Sequence, residues 1–112
     1  MSLYSQYINE RLGQSIIEDD FGFATYDFID QFNVKACYIM DIYVKPEFRR
    51  DGHAKRYVDE IEVIAKENNC ECLLGSVFPK TKGAEESLIF QFNIGYKLLM
   101  NENDKIWTVK EI

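Results

Sequence analysis

Nowhere does this sequence run apolar for anything near the ~20 residues that a membrane-crossing helix needs, so no membrane span is expected. Its opening segment, MSLYSQYINERLG, lacks the positive start and apolar stretch of a secretory signal. Cysteine is scarce. Cys37, Cys70 and Cys72 form an odd set without the spacing of a disulfide framework. Cys37 and Cys72 fall in apolar, strand-like runs, where a free thiol behaves as a small buried hydrophobe. A reducing compartment, the cytoplasm, is the expected setting. Histidine occurs once, at His53, so a zinc site of about four Cys or His ligands lacks donors at workable spacing, and no metal is expected. No histidine is near Cys70 or Cys72, which removes a simple Cys–His nucleophile. No repeat, low-complexity tract or linker divides the 112 residues, and they are read as one domain.

What is present is globular in character, with 46% hydrophobic and 14% aromatic residues. A chain of this size buries roughly two thirds of the surface its unfolded form exposes, enough for one layered core. The net charge of −6 argues against general attraction to nucleic acid or anionic membrane. The distribution says more than the sum. Lys45, Arg49, Arg50, Lys55 and Arg56 outnumber Glu47 and Asp51 within residues 45–56, a local +3 that leaves −9 for the rest. One basic spot on an acidic chain suits a compact anionic ligand, although a solvated basic helix start would look the same.

Along the chain, Leu3, Tyr4, Tyr7, Ile8 and Leu12 recur at helical spacing and predict an amphipathic helix over 3–12, ended by Gly13. Residues 14–20 and 22–29 read as strands joined by a turn around Asp19–Gly22. Residues 36–45 are apolar on both parities except at Asp41, as in a strand covered on both faces, and Pro46 ends it. Ala54, Tyr57, Val58, Ile61, Ile64 and Ala65 put one apolar face on a helix over 53–69. Residues 71–78 form the next buried strand, stopped by Pro79. A helix over 84–94 ends at Gly95, and 96–101 with 105–111 form a closing hairpin. The unit spanning 36–78 is a βαβ crossover between parallel strands, with the rest of the sheet antiparallel. This is a mixed α/β (α+β) domain with helices on both faces of a mostly antiparallel sheet.

The segment that carries chemistry is Val44-Lys-Pro-Glu-Phe-Arg49-Arg50-Asp51-Gly52-His53-Ala54. A diphosphate needs several donors converging on one point. Successive backbone N–H groups at a helix N-terminus supply them, with the helix dipole behind. Gly52 can take φ > 0 in an anion-binding nest, Ala54 keeps the first helical turn small, and Arg49 and Arg50 can add charge-assisted bonds. The pattern V-x-P-x-[aromatic]-R-x-x-G-x-[G/A] after a central strand resembles the coenzyme A signature of the GNAT superfamily of N-acetyltransferases. The likeness runs from about residue 14 to the C-terminus.

The resemblance implies the family's fold and acetyl-coenzyme A as co-substrate. It implies that Ile42 and Val44 offer backbone groups to the pantetheine arm beside Tyr43, where the central strand parts from the next. It implies too that Arg49, Arg50, Asp51, Gly52, His53, Ala54 and Lys55 cradle the pyrophosphate. Family members move acetyl from the thioester to an amine, often with a tyrosine acid four residues before a Gly-Phe that ends the last helix. Gly95-Tyr96 matches that Gly-Phe, and the acid position then falls on Gln91. The strand and helix with which family members usually begin are absent ahead of residue 3, so the resemblance implies a shortened N-terminus and an open acceptor wall.

An ammonium cannot attack until it loses its proton, so a base is required. Asp41, the lone charge in an apolar strand, is the candidate, and acceptance of structural hydrogen bonds is the alternative. His53 could serve as a proton relay, but near the end of the turn it is expected to face solvent. Two functions follow: acetyl transfer from acetyl-coenzyme A to a primary amine, or a catalytically weak relative that binds coenzyme A or a protein partner as a regulator. Because no strand precedes 14–20, that strand is expected at the sheet edge, where a homodimer could cover it.

Overall fold

The computed structural model describes residues 2–112. Two hairpins frame its sheet. Strands β2 (Gly22–Gln31) and β3 (Val34–Val44) turn through Phe32 and Asn33, at φ 54° and 64°. Strands β5 (Lys97–Glu102) and β6 (Lys105–Glu111) turn through Asn103 and Asp104, at φ 53° and 61°. Two consecutive left-handed residues make the tight turn whose twist matches the strands it joins. Asn and Asp tolerate that conformation, whereas Phe32 needs support. Its ring meets Trp107 edge-on at 5.6 Å. Polar Asp30, Gln31 and Lys35 hid these strand ends from the sequence pattern, which left a gap between 29 and 36.

With β1 (Ser15–Glu18) and β4 (Cys72–Val77), the sheet order is β1-β2-β3-β4-β6-β5, and β3–β4 is its one parallel pair. The mixed, mostly antiparallel α/β architecture predicted from the sequence is therefore present, with β1 at an edge. Helix α2 (His53–Glu67) makes the crossover and buries Tyr57, Val58, Ile61 and Ala65. They pack on Ala24, Tyr26, Cys37, Ile39 and Leu73. Each fully buried aliphatic side chain of this size contributes roughly 1.5–3 kcal/mol. Helix α3 (Ala84–Asn93) ends at Gly95, φ 104°, where Gly95 N–H bonds Phe92 O at 3.2 Å and Tyr96 N–H bonds Gln91 O at 2.9 Å. This is the Schellman closure. Ala36, Cys72, Leu74 and Trp107 form a second cluster on the opposite sheet face. Cys37, Cys70 and Cys72 are free and buried.

The N-terminal helix differs from its prediction. Helix α1 (Leu3–Tyr7) passes into a π-helical turn over Ile8–Leu12, closed by Gly13 at φ 64°. Widening that turn rotates the apolar face, so only Ile8 is buried among the five apolar side chains, and Leu3 is 84% exposed. Tyr4 packs on Phe23 at 5.0 Å, on the face opposite α2.

One irregularity positions the site. Thr25 pairs with Asp41 but Tyr26 pairs with Ile39, which leaves Met40 as an extra residue in β3. A bulge of this kind bends the strand and switches the side-chain parity. Pairing of β3 with β4 covers only Ala36–Tyr38, and from there, ahead of the bulge, the two strands part. The parity switch also corrects the expectation for Asp41. Without it Asp41 would share the core face of Cys37 and Ile39; with it Ile42 and Val44 take that face, and Asp41 is exposed.

Candidate functional site

A cavity of about 970 Å³ opens where β3 and β4 part, with α2 and α3 as its walls. The Lys45 N–H bonds Phe21 O at 2.8 Å, so Tyr43 and Lys45 turn their backbone groups toward β2. Strand alternation then turns those of Ile42 and Val44 into the gap. Arg49 takes one of them: its Nε donates to Val44 O at 2.8 Å, and its guanidinium lies 5.6 Å from the Tyr43 ring centre. Arg49 thus braces the turn that the sequence assigned it to serve as a phosphate ligand.

That turn is a single 3₁₀ turn over Pro46–Phe48, then Arg50 at φ 69° and Gly52 at φ 86°. The first backbone bond of α2 is Arg56 N–H to Gly52 O at 3.0 Å, and no side chain caps the helix. The amides of His53, Ala54 and Lys55 therefore have no intrahelical acceptor and carry the positive end of the dipole. At Gly52 the constraint is its φ, since no protein atom lies within 4 Å of an added Cβ.

His53 does not face solvent freely. It is half-buried, stacked on Phe21 at 4.2 Å, with Nδ1 3.2 Å from an Arg56 nitrogen. Asp19, in the β1–β2 turn, fixes the same end of α2. It accepts from Arg56 at 2.6 Å, from Tyr57 Oη at 2.6 Å, and from the Phe21 and Gly22 amides. Partial burial would raise the Asp19 pKa, but the bonds from Tyr57, Arg56 and the two amides together hold it far below the usual carboxylate range. Burial and the Asp19 contact push the Tyr57 phenol up to about 12.

On the other wall, Gln91 of α3 accepts a short hydrogen bond from Thr108 Oγ1 and donates to Ser87 Oγ at 3.3 Å. Both side chains close over Gly75, where an added Cβ would lie 2.6 Å from Thr108 Oγ1 and 2.8 Å from Gln91 Oε1. Ser76 lines the cavity at the parting point, and its hydroxyl hydrogen-bonds that of Tyr38.

The sequence matches the Acetyltransferase (GNAT) family over residues 4–86. This chain belongs to the GNAT acetyltransferase family. Among solved structures it resembles a PaiA N-acetyltransferase from Thermoplasma acidophilum in complex with coenzyme A. The TM-score is 0.74 at 17% identity, over 98% of this chain and 69% of that one. A GNAT family acetyltransferase from Elizabethkingia anophelis with acetyl-CoA bound gives 0.71 at 13% identity, over 98% and 82%. An acetyltransferase from Bacillus cereus gives 0.66 at 21% identity, over 88% and 71%. No curated protein matches the sequence significantly.

Of the residues singled out in this GNAT sequence, Ile42, Tyr43, Val44, Arg49, Arg50, Gly52, His53, Ala54, Lys55 and Gln91 all line the one cavity. Asp51 and Asp41 do not. Lys55 also pairs with Asp59 at 2.8 Å. Sequence reading missed Ser76, Thr108 and a second uncapped helix start at Gly83, φ 85°. The Gly-Ala-Glu-Glu run at 83–86 was a legible signal for the last. Ser76 and Thr108 carried none, because their strand positions read as ordinary alternation. Among the described residues no helix is long and apolar enough to cross a membrane, and no group of three His, Cys, Asp or Glu side chains could hold a metal.

Proposed function

We propose that this GNAT protein binds acetyl-coenzyme A in the β3–β4 gap and transfers its acetyl group to a primary amine. The observation that carries the reading is the uncapped start of α2 at Gly52, opening onto the cleft beside the backbone of Ile42 and the Val44 N–H, the Val44 carbonyl being taken by Arg49. Acetyl-coenzyme A, when bound, supplies the thioester. The amides of His53, Ala54 and Lys55 hold the pyrophosphate, with Arg50 adding charge, and Val44 and Ile42 hold the pantetheine arm. Gln91 Nε2 keeps a second N–H with which to stabilise the departing thiolate, though it has no proton to give up as a tyrosine would. Asp41, exposed on the face away from α2, accepts the proton that the amine must lose.

Calorimetry with acetyl-coenzyme A tests the binding, with micromolar-range affinity expected. Gly52→Asp, which strains the φ of 86° and sets a negative charge before the amides, should abolish it. Unchanged affinity would put the site elsewhere. A second reading, a catalytically weak coenzyme A binder with a regulatory role, is favoured by the way Thr108 and Ser87 tie Gln91 down. Thiol release over an amine panel separates the two. Turnover should rise with pH as the acceptor deprotonates, and Asp41→Asn should lower kcat/KM if Asp41 takes that proton.

A further inference from the structure

Lys105 opens β6 and is half-buried. Its Nζ lies 4.0 Å from the ring centre of Trp107, 5.1 Å from that of Tyr38 and 5.6 Å from that of Phe78. Lys55, Lys66 and Lys110 each pair with a carboxylate; Lys105, like five other lysines, makes no ion pair among the described residues, but of the lysines it is the one that lies over aromatic rings there. On a chain with 19 acidic and 13 basic residues, an ammonium held by ring faces alone is a feature to explain. Three rings, from β3, from β6 and from Phe78 just past the end of β4, converge as a box whose negative faces suit a cation. Phe32, in the β2–β3 turn, braces Trp107 from outside.

The box adjoins the point where the strands part. Tyr38 is the last β3 residue paired with β4, and its hydroxyl contacts Ser76, which lines the cleft. Phe78 also borders a smaller cavity of about 220 Å³ that runs from Ser76 to Thr81, Gly83 and Ser87 at the start of α3. The cleft's helical walls leave this opposite face for a second substrate.

We propose that the Tyr38–Phe78–Trp107 box recognises the ammonium head of an aliphatic amine acceptor, and that Lys105 occupies it until the acceptor displaces it. The proposal deepens the acetyltransferase reading and rests on it for the word acceptor. The Lys105 side chain, four methylenes ending in a primary ammonium, has the shape of the ligand it stands in for. Ring faces favour the charged form, so the box selects the amine as a cation. On leaving the rings the amine gives up its proton to Asp41, the base of the proposed transfer. Lys105 itself is the placeholder and not the acetylated group.

Trp107 is the sole tryptophan, so its fluorescence reports the box directly. Titrating with n-butylammonium chloride at constant ionic strength should change that fluorescence, whereas the neutral isostere n-butanol should bind at least about tenfold more weakly. Lys105→Ala should lower the n-butylammonium midpoint about tenfold, and adding Phe78→Ala should reverse most of that gain. Equal response to amine and alcohol, or one midpoint in wild type and Lys105→Ala, would overturn the proposal. So would acetylation of Lys105 itself, seen by mass spectrometry after incubation with acetyl-coenzyme A. Coenzyme A affinity is measured on the same samples. Its retention in Lys105→Ala shows an intact fold, and its absence in wild type would remove the acetyltransferase reading while the fluorescence still decides whether the box binds ammonium.

Discussion

At Gly75 one methyl group would strike both Thr108 Oγ1 and Gln91 Oε1. Neither can retreat easily: Thr108 is fully buried, and Gln91 is its hydrogen-bond partner. Gly75→Ala is expected to cost about 1–3 kcal/mol in urea unfolding, because overpacking forces side chains off their rotamers. A variant as stable as wild type would show that α3 can shift away from β4. Asp19 gives the pH-dependent case. Its pKa is lowered on folding, so its contribution is present above the unfolded value of about 3.9 and is lost as pH falls below it. The melting temperature of wild type should exceed that of Asp19→Asn most at neutral pH, and the two should converge below about pH 4. A constant difference across that range would mean the contact acts through shape alone. Since the Asp19 side chain remains a third exposed, solvent screening keeps the effect modest.

The two helices that wall the cleft differ in how firmly they are held. Helix α2 buries four residues, whereas α3 buries none completely and leaves Ile89 and Phe92 about half exposed. Amides of α2 between Tyr57 and Ala65 should therefore exchange with solvent far more slowly than those of α3, since few buried contacts mean low local opening energy. Comparable protection in both would contradict this ordering. The contrast was partly legible in the sequence. The repeat of Tyr57, Val58, Ile61 and Ala65 marks one face plainly, while Leu88, Ile89, Phe90, Phe92 and Ile94 circle α3 without choosing a side. The π-helical turn at Ile8–Leu12 had no signal, because Leu3, Tyr4, Tyr7, Ile8 and Leu12 fit an α-helix equally well.

Taken as a body, the molecule has two open sheet edges. Strand β1 is one, and β5 is the other, with Leu98, Leu99 and Met100 all exposed. Unpaired edges and outward apolar side chains invite a partner. Leu3, Tyr7 and Leu12 add to the apolar surface beside the β1 end. Light scattering at micromolar concentration is expected to give a homodimer, twice the 13.2 kDa chain mass, through the N-terminal half. Leu12→Lys should return it to monomer. A mass near 13 kDa throughout a dilution series of the unaltered chain would sink the edge argument.

The sequence by itself determined the order of elements, the crossover helix and its buried face, and the turn at residues 45–55. These are local properties: a spacing of apolar residues, a proline, a glycine that must take positive φ. Two features of the structure were beyond its reach. The extra residue at Met40 moves Asp41 from the core face to the exposed one, and alternation alone cannot reveal a bulge that only pairing with β2 creates. The rings around Lys105 come from segments separated by up to 69 positions, Tyr38 to Trp107, and only the closed sheet brings them to one point. The turn at residues 45–55 is written into consecutive residues, whereas the ring cluster around Lys105 is assembled from distant segments and exists only once the strands are paired.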